Sequence, residues 1–109
     1  MVRQLKNTAD YEGFVNENNE GIAVVCFTAA WSGPCRMFAN KYKEISNSEE
    51  YNDVVFAQID TEGNEDLVSK HGVELLPAFC FYKNGKKVGN TIRGDEDKVK
   101  SVINNLRLK

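Results

Sequence analysis

The stretch Ala29–Phe38, "AAWSGPCRMF", decides the reading of this chain. It overlaps the end of "IAVVCFTA" (22–29), a nearly unbroken apolar run with β-branched residues, which predicts a strand buried on both faces. Pro34 has no N–H and suits the first turn of a helix, where none is needed. Phe38, Tyr42 and Ile45 then recur at i, i+4 and i+7, the spacing of one helical face. A strand therefore hands over to a helix across Trp31–Cys35, with Gly33-Pro34 at the turn. This is the setting of a Cys-x-x-Cys dithiol motif. Cys35 holds the second position, and Ser32 stands where the first cysteine would be.

The flanking sequence alternates strands and helices. Asn7 or Thr8 can cap a first helix bearing Tyr11, Phe14 and Val15, and Gly21 closes the polar stretch "NENNEG". "DVVFAQID" (53–60) predicts a second core strand, and Asn64 can cap a short helix with Leu67 and Val68 that Gly72 ends. "PAFCFYK" (77–83) predicts a strand, Asn84-Gly85 a tight hairpin turn, and "KKVGNTI" the returning strand. Asp95 can cap a last helix whose stripe is Val99, Val102, Ile103 and Leu106. With a strand near Val2–Leu5 the order is β-α-β-α-β-α-β-β-α. It predicts an α/β architecture with a parallel core, a terminal antiparallel pair and helices on both faces of a mixed sheet.

Bulk properties narrow the function. At 109 residues the chain fits one domain, 1–109. A net charge of -2 without a basic face argues against nucleic acid as partner. No apolar stretch reaches the roughly 20 residues that span a bilayer, and "MVRQLKNTADYEGF" has no secretory apolar region. A cytoplasmic location and no membrane association are expected. Three cysteines (Cys26, Cys35, Cys80) are too few for a disulfide-stapled scaffold. The single histidine, His71, excludes a Cys₂His₂ zinc site, and no metal or other cofactor is expected. A Cys–His hydrolase is compatible with composition alone, but nothing nearby marks an oxyanion loop.

The element order, W-S-G-P-C after the first core strand and "LLPAFCFYKNGKKV" (75–88) together resemble the thioredoxin family over essentially the whole chain. The resemblance implies a thioredoxin fold and a thiol–disulfide oxidoreductase serving cell redox homeostasis. Its partners would be disulfide-containing proteins and a thioredoxin reductase. It assigns Ser32 the place of the nucleophilic cysteine and Cys35 that of the resolving one. It makes Pro77 a cis-proline and has Trp31, Gly33, Leu76, Pro77 and Gly94 rim one apolar substrate groove, beside Pro34 of the turn. Monothiol glutaredoxins match poorly, because they keep the first cysteine and lose the second.

In such a cycle a thiolate held at a helix N-terminus attacks a substrate disulfide, and the second cysteine resolves the mixed disulfide. A serine hydroxyl is not ionised at neutral pH and makes no stable link to sulfur, so Ser32 blocks the full cycle. It can cap the helix instead. Three further departures accompany it. Cys26 replaces a buried aspartate that would assist proton transfer, Gln58 replaces the charged residue beside it, and Asn40 replaces a kinking proline, which predicts a straighter helix. A Cys26–Cys35 disulfide is conceivable, whereas Cys80 reads as a small core residue. Three readings follow: an oxidoreductase whose cysteine was replaced by serine, a naturally divergent monothiol form acting through Cys35, and a non-catalytic module that binds protein through the groove. Cys26, Gln58 and Asn40 favour natural divergence without deciding Ser32.

Overall fold

The computed structural model describes residues 1–109. Its elements are β1 (Val2–Leu5), α1 (Thr8–Glu17), β2 (Ile22–Thr28), α2 (Gly33–Asn47), β3 (Val54–Asp60), α3 (Glu65–Lys70), β4 (Ala78–Lys83), β5 (Lys86–Arg93) and α4 (Glu96–Arg107). A single 3₁₀ turn, Glu49–Tyr51, which the periodicity does not predict, follows α2. The strands form one sheet in the order β1-β3-β2-β4-β5.

β1, β3 and β2 are parallel, while β4 pairs antiparallel with both β2 and β5. The parallel core is thus narrower than the strand–helix alternation suggests. The reason lies in α3. Its six residues rise only about 9 Å, whereas a parallel crossover must return the chain along the roughly 23 Å of a seven-residue strand. The chain stays near the end of the sheet where β3 finishes, and β4 runs back from there.

Alternation along each strand sorts the core onto two faces. Val24, Cys26, Phe56, Phe79 and Phe81 pack under α2 and α4 against Tyr42, Ile45, Val99, Ile103 and Leu106. Val25, Phe27, Ile59, Ala78, Cys80 and Tyr82 pack under α1 and α3 against Tyr11, Phe14 and Leu67. Tyr42 does more than fill space: its buried hydroxyl donates to the Ala57 carbonyl at 2.8 Å and lies 3.3 Å from that of Val24, pinning α2 to β3 and β2.

Local chemistry explains the element ends. Asn7 caps α1, its Oδ1 accepting from the Asp10 N–H at 2.9 Å, and Asp95 caps α4, accepting from Lys98 N–H at 3.0 Å. Both central residues of the β4–β5 turn have positive φ, 52° at Asn84 and 82° at Gly85, as a tight hairpin requires. Asn64 behaves otherwise than predicted. It precedes α3, but its side chain accepts no capping bond. Its Nδ2 instead donates to the carbonyls of Asp60 (2.8 Å) and Lys6 (3.2 Å), tying β3 to the start of α1. α2 runs unbroken through Asn40.

Candidate active site

The site grows from the β2–α2 junction. Ser32 is the N-cap of α2: its Oγ accepts from the Cys35 N–H at 3.3 Å, and its carbonyl accepts from Arg36 N–H at 3.1 Å. The Arg36 guanidinium donates to the Ala30 carbonyl at 2.8 Å and so braces the entering segment. Ser32 and Cys35 are both buried, while Trp31 stands 71% exposed beside them. The helix N-terminus that would stabilise an anion therefore faces a neutral hydroxyl.

Leu76–Pro77 is a cis peptide, and Pro77 is buried at the start of β4. The Pro77 carbonyl accepts from Gly94 N–H at 3.3 Å, which joins the β5–α4 turn to the β4 start. Gly94 needs its missing side chain: a Cβ there would lie 3.0 Å from Cδ2 of the fully buried Phe79 ring and 3.5 Å from Val99.

Of the residues singled out from sequence, Pro34, Pro77 and Gly94 line one cavity of about 450 Å³, together with Met37 and Phe38. Trp31, Gly33 and Leu76 do not line it. The groove is also less apolar than expected, because Arg93, Asp95 and Lys98 form its far wall. Sequence reasoning missed Met37, which is 84% exposed and lies off the apolar stripe of α2. It also missed Arg93 and Lys98, for which the charges flanking Gly94 were the available signal.

Beneath the junction, Cys26 lies on the α2/α4 face of β2, with Gln58 and Phe79 as its cross-strand partners. Burial above all, and then the neighbouring Cys35 and Cys80, push its thiol well up. Gln58 turns to β1, donating from Nε2 to Gln4 Oε1 at 2.9 Å. The hydroxyl of Tyr42 is likewise pushed up, chiefly by burial. All three cysteines are free thiols, so the conceivable Cys26–Cys35 bridge is not formed. No carboxylate or imidazole lies in this core. His71 belongs to the other face of the sheet, stacked on Tyr11 at 5.2 Å, so no Cys35–His71 pair exists.

The junction thus holds a helix N-terminus capped by Ser32, an exposed indole at Trp31, and a cis-proline and Gly94 that line a cavity with Pro34. Comparison with known proteins places the whole chain among thioredoxins. The family model described as Thioredoxin matches residues 2–105. The thioredoxin of Sus scrofa is 34% identical over 106 residues, covering 97% of this chain and 99% of that protein. The thioredoxin of Gallus gallus is 35% identical with the same coverage. The crystal structure of Fasciola hepatica thioredoxin superposes with a TM-score of 0.85 at 37% identity, covering 95% of this chain and 98% of that one.

Proposed function

The chain belongs to the thioredoxin family, and on that premise we propose that it takes disulfide-bearing protein segments into the Pro34–Pro77–Gly94 groove while Ser32 arrests the cycle before its first covalent step. The family's chemistry is thiol–disulfide exchange with disulfide-containing proteins. In the complete reaction a thiolate attacks one substrate sulfur, the other leaves as thiolate, and the second cysteine then displaces the reduced substrate as its own disulfide forms. Here the first position offers a neutral oxygen. Cys35, the resolving position, is buried and has no mixed disulfide to attack.

One observation carries this reading: Ser32 Oγ accepts the Cys35 N–H at the N-terminus of α2, where the attacking sulfur would be held. The exposed Trp31 and the cis-Pro77 support a substrate role for this surface. Trp31, Gly33 and Leu76 would guide the segment at the rim, and the backbone at Leu76 would pair with it as a short strand. Cys26 would set the slow proton exchange of the site. No helix is long and apolar enough to cross a membrane. The working form we infer is one domain, 1–109, in the cytoplasm, with a thioredoxin reductase as the electron donor of a dithiol form.

The test is insulin disulfide reduction with NADPH and a thioredoxin reductase. The chain as it stands turns over no faster than the uncatalysed control. Ser32→Cys restores turnover, at a rate limited by the missing buried acid, and Cys26→Asp added to it raises that rate further. Persistent inactivity of a folded Ser32→Cys protein overturns the redox assignment and leaves the groove as a docking surface.

A further inference from the structure

A second cavity, of about 500 Å³, opens on the α1/α3 face and shares no lining residue with the groove. Its volume lies within the roughly 300–1,000 Å³ typical of small-ligand sites. Three flat rings form its interior: Tyr11 from α1, Tyr82 from β4 and His71 at the end of α3. The His71 ring lies nearly parallel to that of Tyr11, with centroids 5.2 Å apart and planes at 24°. Val15, one helical turn beyond Tyr11, adds an aliphatic wall.

Cations stand at its mouth. Lys87 is the cross-strand partner of Tyr82 and so projects from the same face of the hairpin. Its ammonium donates to Thr91 Oγ1 at 2.8 Å, which uses one of its three protons. Lys70 stands next to His71, and neither lysine takes part in an ion pair. Glu12 is the one carboxylate on the rim, leaving a net excess of one positive charge. The hydroxyls of Tyr11 and Tyr82 lie 2.7 Å apart. Between two phenols one proton serves the mutual bond and one is left to donate. Burial, with Lys87 and Lys70 nearby, holds His71 down at about 4, so at neutral pH its imidazole is an uncharged flat wall and the positive charge of the rim belongs to the lysines.

We propose that this cavity is a binding site for a small planar aromatic carboxylate, its ring against Tyr11, His71 and Tyr82 and its carboxylate held by Lys70 and Lys87. The site lies on the opposite face of the sheet from Ser32 and Cys35, so occupancy does not require the redox junction.

The experiment titrates the ¹⁵N-labelled protein with 2-naphthoate and follows the amide spectrum. Binding is saturable, and the shifted amides fall within Tyr11–Asn16, Lys70–His71 and Tyr82–Lys87. Lys70→Gln and Lys87→Gln, both at exposed positions, each weaken binding about tenfold, while thermal unfolding shows that both variants fold. The neutral 2-naphthalenemethanol binds more weakly than the acid. Absence of saturation up to the solubility of the probe overturns the proposal. So do shifts centred on Trp31 and Pro77, equal affinity for the neutral alcohol, or binding unmoved by both lysine variants.

Discussion

Gly94 and His71 show how single residues set measurable properties. At Gly94 the neighbour of the absent Cβ is the edge of Phe79, a ring with no exposed surface. Gly94→Ala forces that ring or the β5–α4 turn to shift, at a cost of about 1–3 kcal/mol. The midpoint of urea unfolding falls accordingly, and the groove wall beside Pro77 moves with it. His71 is held at about 4 in the folded chain against an ordinary value near 6.5. Above pH 6.5 both folded and unfolded states carry a neutral ring, and this stabilising contribution is intact. As pH falls through 6.5 the unfolded chain gains a proton that the folded ring refuses until about pH 4, so stability drops across that window. With the shift discounted for the partial exposure of the ring, the loss is about 1–2 kcal/mol at pH 4. Unfolding curves of His71→Phe, which keeps the stacking on Tyr11, are flatter over the same range. An unchanged slope would assign the acid sensitivity to carboxylates elsewhere.

Asp95 carries the N-terminus of α4 with one side-chain bond to the Lys98 N–H and a negative charge at the positive end of the helix. Asp95→Ala lowers stability by about 1 kcal/mol, and calorimetry reads this as a fall in Tm of about 4–8 °C. Features of this kind were legible from the sequence because cause and effect lie within a few residues of each other. The cap Asp95, a cap of α1 at Asn7 or Thr8 that the structure gives to Asn7, the Asn84-Gly85 turn and the stripe of α4 all belong to that class. Asn64 does stand at the N-cap position of α3, but its side chain turns to the carbonyls of Lys6 and Asp60, partners set by how β3 meets the segment before α1, which local pattern does not reveal. Tyr42 looked like one more apolar ring, since periodicity registers the ring and not the carbonyls its hydroxyl will meet. The direction of β4 followed from the brevity of α3, a geometric consequence that alternation of elements does not encode. At the site, the W-S-G-P-C junction and Pro77 were visible as motifs. The charged wall of Arg93 and Lys98 was not, because it forms only when the hairpin returns to α2.

Across the whole molecule the sheet separates two chemistries, with the redox junction and its groove served by one pair of helices and the Tyr11–His71–Tyr82 cavity by the other. The sulfurs are divided by the same partition. Cys26 and Cys35 lie toward one side and Cys80 toward the other, each exposed by less than a twentieth of its surface. Ser32, where the family's attacking sulfur would stand, is buried as well. The folded chain is therefore silent toward electrophiles: an aromatic disulfide reagent releases no rapid chromophore from it, and in concentrated guanidinium the same sample titrates all three thiols. A single equivalent released promptly under native conditions would mean that Cys35 is uncovered by motion at the junction. Without it, the protein survives storage in air with no reductant, as a chain that neither cross-links to its neighbours nor accumulates glutathione, an unusual property for a fold built around exchange of disulfides.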